Sequence, residues 1–386
     1  MSSTDATGPS TATAPIITDT STRADTRADT RADTRADTRT GTGTGTANTP
    51  TRTSRRARTA LWSLAAAALL VLLTGLALGT GQVRMSTWDA LRALAGLGDT
   101  GNVLVVQEFR APRVVSALIA GAGLAVAGSM LQRLFRNPLA SPDTIGVTGG
   151  ASFGAVLMLA TGASQELIPL AALGGGLLAA LLLGGFAWRS RMAVTRLVLV
   201  GLAVQQGLAA AVNLMIVRFP AELASSAMQW TTGSLYGRNW TEVWIGGAAI
   251  GTAMVAVLLC QRRIAVLDLG DDSAGGLGLN PGRDRLGLLL LTITLASLAA
   301  ALTGPVAFVA LAVPHLVRLL AGPPTLGTLG LTALTGAVLL LSSDLLVLHV
   351  IPVHGLPVGA VTATLGAPWL LVLMIRQGRL PQRSNR

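Results

Sequence analysis

Two arginines three apart, Arg110-Ala-Pro-Arg113, stand just ahead of an apolar run. Their guanidinium forks are of the kind that pairs carboxylates bidentately, so the spacing invites an acidic partner. Spacing alone leaves a second reading open, in which both arginines snorkel from a helix end to a membrane interface. One acidic residue, Asp344, falls inside an apolar run, where a carboxylate is a functional hypothesis by default. It could cap or bond a neighbouring helix, or serve a proton relay, although no chain of partners accompanies it. His315, His349 and His354 invite a metal site, but the first falls at the opposite end of the spans from the other two. No metal is therefore expected. All 29 basic residues are arginine. A P-loop places a lysine on the nucleotide phosphates, so this chain cannot hydrolyse ATP by that route.

These residues are separated by long stretches without charge. From Val114 to Gln132, Thr144 to Gln165, Ile168 to Trp188, Leu197 to Val217 and Leu286 to Pro314 there is no Asp, Glu, Arg or Lys. The chain is 51% hydrophobic and 12% charged, against roughly 25% charged in a soluble domain. A helix needs about 20 apolar residues to cross the hydrocarbon core. The sequence predicts ten such spans, at 60–80, 114–134, 144–162, 168–188, 197–217, 243–261, 286–303, 305–321, 326–348 and 357–375. Gly304-Pro305 precedes the eighth and Pro314 interrupts it, so it is expected as a bundle-buried helix or as two short ones. With both termini in the cytoplasm, 18 arginines lie inside and six outside (Arg84, Arg92, Arg110, Arg113, Arg218 and Arg238). The opposite orientation inverts that ratio and violates the positive-inside rule.

Residues 1–58 differ in kind. Arg-Ala-Asp-Thr repeats begin at Arg23, and Gly-Thr repeats follow from Gly41. Such a stretch has almost nothing to bury and reads as a disordered cytoplasmic tail, not a signal peptide. That leaves 59–386 as the permeating domain. The pI near 11.6 does not imply nucleic acid, because outside the tail the arginines cluster at helix ends. Cys260 is the single cysteine, so no internal disulfide forms. Gly121-Ala-Gly123-Leu-Ala-Val-Ala-Gly128 looks superficially like a dinucleotide fingerprint, but it follows no strand and reads as close helix packing.

Beyond the span pattern, a set of short motifs occurs in order. Arg110-Ala-Pro-Arg113 leads into a Gly-rich helix ending at Gln132, then Asn137-Pro138-Leu-Ala140 and a second Gly-rich run. Next come Leu197-Val-Leu-Val-Gly201, Trp230-Thr-Thr-Gly233-Ser-Leu235 and Leu269-Gly270-Asp271-Asp272-Ser-Ala274-Gly-Gly-Leu277-Gly278. Gly304-Pro-Val-Ala-Phe308, Val313-Pro314-His315-Leu-Val-Arg318, Asp344, Leu356-Pro357-Val-Gly359 and Leu365-Gly-Ala-Pro368 complete the series. From Arg110 to Arg376 the chain resembles the FecCD-like permeases that import iron-siderophore complexes, haem or cobalamin.

The resemblance implies an all-α integral membrane protein with the type II ABC importer permease architecture. It implies a second permease subunit (homodimer or heterodimer), two cytoplasmic ATPase subunits carrying ATP and Mg, and an extracellular substrate-binding lipoprotein. Arg110 and Arg113 match positions that meet glutamates on that lipoprotein. The loop with Gly270, Asp271, Asp272, Ala274, Leu277 and Gly278 matches the short coupling helices seated on the ATPase. Pathway residues are expected to be small and apolar. A ferric siderophore leads as cargo, with cobalamin or haem as alternatives of the same family, and a proton-coupled secondary transporter as the reading from a different class. The sequence departs from the family pattern at Leu348 and Gly355, where Arg and Glu are usual, and at Gly275 and Ala310. The first two thin the outer dock; His349 or His354, or a heterodimeric partner, could make up for them.

Overall fold

The computed structural model describes residues 52–81, 83, 85–190, 194–349 and 356–378. Residues 1–51 lie outside them, as do Arg84, His354 and Gly355. Regular structure among the described residues is helical throughout. It begins with α1 (Arg52–Gly79), α2 (Thr87–Leu94), α3 (Thr100–Leu104), a π-helical turn (Val105–Arg110) and α4 (Ala111–Leu134). Next come α5 (Val147–Ala160), α6 (Ile168–Ser190), α7 (Val194–Arg218), α8 (Ala221–Thr232) and α9 (Trp240–Leu259). The chain continues through α10 (Gln261–Leu267), α11 (Asp271–Gly276), α12 (Pro281–Thr303), α13 (Val309–Ala321), α14 (Leu326–His349) and α15 (Val358–Gly378).

Six helical stretches are long and apolar enough to cross a membrane: Arg55–Gly79, Thr100–Leu134, Leu199–Arg218, Trp240–Leu259, Pro281–Thr303 and Leu326–His349. Four apolar helices are shorter: Val147–Ala160, Ile168–Leu183, Val309–Ala321 and Val358–Val372. Together they fall on the ten predicted spans. At about 1.5 Å per residue, α13 reaches only about 20 Å, short of a hydrocarbon core about 30 Å thick. Its missing part is the non-helical segment 304–308, which ends at Phe308 with φ 67°. The eighth span is therefore one short helix with an extended entry.

Two boundaries differ from the sequence reading. Helix α1 starts at Arg52, inside the stretch expected to be tail, and Arg58 Nη2 donates to Leu320 O at 2.7 Å. That bond gives the first turns a tertiary partner, the exposed carbonyl end of α13. Helix α8 forms where only a connection was expected. Pro220 precedes it, Glu222 lies in its first turn, and Gly233 at φ 77° ends it.

Helix α4 is the core of the bundle. It has no polar face, most of its residues are buried, and α9, α12, α13 and α14 surround it. Glycines set the approach distances: a Cβ at Gly121 would stand 2.5 Å from the Gly336 carbonyl oxygen. One at Gly128 would overlap the Ala310 carbonyl oxygen. Pro314 deprives that same carbonyl of the donor four residues on, and the bare Gly128 backbone lies against it. The dinucleotide-like string is thus a packing surface. In hydrocarbon, close van der Waals contact of this kind replaces the hydrophobic effect as the force between helices.

Candidate functional site

At the N-terminal end of α4, Arg113 meets the acid carried by α14. Arg113 Nε donates to Asp344 Oδ2 at 2.8 Å, and Nη2 donates to Oδ1 at 2.7 Å. The Asp344 side chain is 3% exposed and that of Arg113 19% exposed. A buried carboxylate needs a paired charge, and this bidentate contact supplies it. Arg110 is turned elsewhere: it donates to the Leu78 and Val83 carbonyls and closes the turn between α1 and α2. Arg238 pairs with Glu242 at 3.4 Å and lies 5.3 Å from the Trp230 ring centroid. Burial lowers its pKa, with Glu242 opposing. Arg92 and Arg218 are exposed. His349 Nδ1 contacts Leu345 O of its own helix at 3.0 Å.

Between the two ends lies a cavity of about 530 Å³, walled by α5, α7, α8, the 304–308 segment, α13 and α15. Half of its lining residues are polar, including Asp143, Thr148, Gln205, Thr231 and Thr232, while most of the lining surface is apolar. Most of its side chains are small, and the polar ones stand in addition to the small, apolar lining expected of a pathway. Gln205 Oε1 accepts from the Gly149 amide at 2.8 Å, fixing α7 against the first turn of α5. Gly233 and Gly359 bring three backbones together at the rim. The Gly359 amide faces Gly233 O at 3.4 Å, and a Cβ at Gly359 would overlap the Thr232 carbonyl oxygen. Gly366 leaves room for the Phe308 ring, whose own backbone is in the left-handed region. Asp143, in the connection between α4 and α5, is half-buried. Burial pushes its carboxyl up to about 6, with the Thr148 hydroxyl and the Phe308 amide pulling the other way.

The C-terminal end of α4 is held by side-chain bonds. Gln132 Nε2 donates to Leu311 O at 3.2 Å, and Arg318 Nη2 donates to Gln132 Oε1 at 2.6 Å. Gln132 thus braces the helix that Pro314 weakens. Asn137 Oδ1 accepts from the Leu139 amide at 2.9 Å and forms the turn that Pro138 continues. Arg133 reaches Gln261 at 3.0 Å and Asp268 at 2.7 Å, while Arg136 donates to Leu267 O at 3.0 Å. These bonds seat α10 and α11 under α4. Asp271 pairs with Arg285 at 2.8 Å, which holds its carboxyl below the usual range. Ala274 is fully buried, so within this loop it packs inward and supports the exposed residues around it. Leu277 and Leu269 are exposed at 63% and 64%, and Asp272 and Gly278 are exposed beside them.

The structure therefore joins Arg113 to Asp344 and Gln132 to Arg318, pairs no single motif contains. It leaves Arg110 apart from Arg113 in bonding, and Pro357 and Pro368 contribute only backbone shape at the two ends of α15's first half. His315 is 9% exposed, and its Nε2 has no partner among the described residues. Among the described residues no His, Cys, Asp or Glu cluster could hold a metal. Sequence reasoning passed over Asp143, Thr148 and Gln205. Their signal was present as polar residues within or beside otherwise apolar runs.

The profile of the FecCD transport family matches residues 69–376, so the match begins inside α1, earlier than the motif set suggested. The ferric enterobactin transport system permease protein FepG of Escherichia coli is 38% identical over 78% of this chain and 92% of its own length. The achromobactin transport system permease protein CbrC of Dickeya dadantii is 40% identical over 83% of this chain and 93% of its own. A solved metal-chelate type ABC transporter in an inward-facing conformation superposes with a TM-score of 0.72 at 28% identity, covering 81% of this chain and 98% of that one. With that profile match over most of the chain and those relatives, this multi-pass membrane chain belongs to the FecCD transport family.

Proposed function

We propose that the chain is the permease subunit of an ATP-driven importer and moves a ferric-siderophore complex inward across the cytoplasmic membrane by alternating access. The cavity between α5, α7, α8 and α15, with polar side chains set in a largely apolar wall and bounded by the broken start of α13, carries this reading. A second permease subunit facing α7, α8 and α15 completes the conduit, as a homodimer or a heterodimer. The named cargoes of relatives, ferric enterobactin and achromobactin, favour an iron chelate over cobalamin or haem. The arginine count supports a cytoplasmic position for both termini and the α10–α11 end.

At the outer end a substrate-binding protein docks by its carboxylates. Asp344 occupies Nε and Nη2 of Arg113, which leaves Nη1 for an incoming carboxylate. Arg110 contributes as the brace of the adjoining turn and as a second positive charge. At the inner end, exposed Leu277 with Asp272 and Gly278 forms the contact for the ATPase. ATP and Mg bind that partner, and this chain forms no covalent intermediate. Asp344 is paired with Arg113, which weakens the case that a lone intramembrane carboxylate made for a proton-coupled secondary transporter.

Proteoliposomes holding the full importer test this. Uptake of a ferric chelate should require internal ATP and the ATPase partner. Uptake driven by a proton gradient alone would refute it, and preferential uptake of cobalamin or haem would move the cargo within the family.

A further inference from the structure

Asp143 is the one ionisable side chain lining the cavity among the described residues. Thr148 of α5, Gln205 of α7, Thr231 of α8 and Leu311 of α13 line the same space, and none of them titrates. No ion pair joins Asp143 to an arginine among the described residues. A carboxylate without a counter-ion in a half-buried cavity interacts with any charge brought beside it more strongly than it would in water. Ferric chelates differ sharply in that charge. Three singly charged hydroxamates cancel the ferric charge, whereas three doubly charged catecholates leave a complex with a net triple negative charge.

Resting on the iron-chelate reading above, we propose that Asp143 makes the conduit sensitive to cargo charge. Its carboxylate opposes a chelate of net negative charge, and such a chelate passes once Asp143 has taken a proton from solvent to become a neutral carboxyl. The proton returns to solvent when the cargo leaves, so there is no net transport of protons and no change in the driving force. The direction follows from elementary electrostatics: a nearby negative charge favours the protonated acid, and a neutral chelate does not. Burial already raises the carboxyl to about 6, above the range of an ordinary aspartate, so the change falls in an accessible pH range. As a hydrogen-bond donor, the neutral acid can then face the catecholate or carboxylate oxygens at the chelate surface.

The test is ATP-driven uptake by the reconstituted full importer of two probes, a ferric tris-catecholate and a ferric tris-hydroxamate. Wild type, Asp143→Asn and Asp143→Glu are compared at two pH values. Between about pH 7.5 and about pH 5.5, tris-catecholate uptake by the wild type should rise on the order of tenfold relative to Asp143→Asn, which removes the titrating group. Asp143→Asn should carry the tris-catecholate at the fast rate at both pH values, and Asp143→Glu should keep the pH dependence. Tris-hydroxamate uptake should respond to neither change beyond the effect of pH common to all three proteins. If the wild type carries only one chelate, that arm decides: the anionic one must show the pH rise that Asp143→Asn abolishes, or the neutral one must show none. Equal pH dependence in wild type and Asp143→Asn overturns the proposal. So does slower tris-catecholate uptake in Asp143→Asn that still assembles with its ATPase. Uptake of neither chelate by the wild type overturns the iron-chelate reading itself, and this inference with it.

Discussion

Arg113 and Asp344 lie 231 residues apart and are joined by two parallel hydrogen bonds of 2.8 and 2.7 Å, tying the start of α4 to the end of α14. The pair accounts for the acid in an apolar helix without a relay. It also fixes the orientation of the guanidinium at the N-terminal end of the central helix.

Breaking that pair should leave an uncompensated, largely buried charge. Arg113→Ala or Asp344→Ala is expected to destabilise the protein by about 3 kcal/mol, and the double substitution by less than the sum of the two. Thermal unfolding in detergent reads this. Additive single effects would show that the two residues act independently.

Gln132→Ala should remove both the bond to Leu311 O and the partner of Arg318, at a cost of about 1–3 kcal/mol. Gln132→Glu restores a partner for Arg318 but not the donor to Leu311, so it should recover only part of the loss. Full recovery in Gln132→Glu would mean that bracing α13 contributes nothing.

Gly128→Ala places a methyl group on the Ala310 carbonyl, a contact that backbone must move to relieve. Overpacking of this kind costs about 1–3 kcal/mol or more, and Gly174→Ala, where nothing lies within 4 Å, should be harmless. Yield of monodisperse protein by size-exclusion chromatography compares the two. Equal yields would contradict the close α4–α13 approach.

Asp143 also makes stability depend on pH in a defined direction. Its folded value of about 6 exceeds the model-peptide value of 3.8. Between those values the unfolded chain has lost the proton and the folded one keeps it, so raising pH favours unfolding. The Tm advantage of Asp143→Asn over wild type should grow from about pH 4 to about pH 6 and then level off. Asp271 acts in the opposite sense: Arg285 depresses its carboxyl, so its contribution is present at neutral pH and lost in acid. A Tm difference for Asp143→Asn that is flat across this range would remove the carboxyl from the balance.

Leu277→Asp should abolish stimulation of the partner ATPase while leaving the spans folded, because Leu277 is 63% exposed and supports no core. Ala274→Asp, at a fully buried position, should instead lower stability and yield. Normal stimulation in Leu277→Asp would take the α10–α11 loop out of the coupling.

The amino-acid sequence by itself determined the membrane environment, ten apolar helices and the family. These rest on local properties: charge-free length, proline and glycine positions, and motif order, all of which survive whatever the helices pack against. Tertiary structure alone decided the pairing of Arg113 with Asp344, the burial of Ala274 and the place of Asp143 at a cavity. It also decided that the eighth span is one shortened helix braced by Gln132, where the sequence offered two possibilities. Partners across a helical bundle are set by which backbones can approach closely, as Gly121 and Gly336 do, and one residue's neighbours in sequence carry no record of that approach. Asp143 shows the difference most plainly: in sequence it is one polar residue of a turn, and in space it is the ionisable side chain that lines a cavity among the described residues.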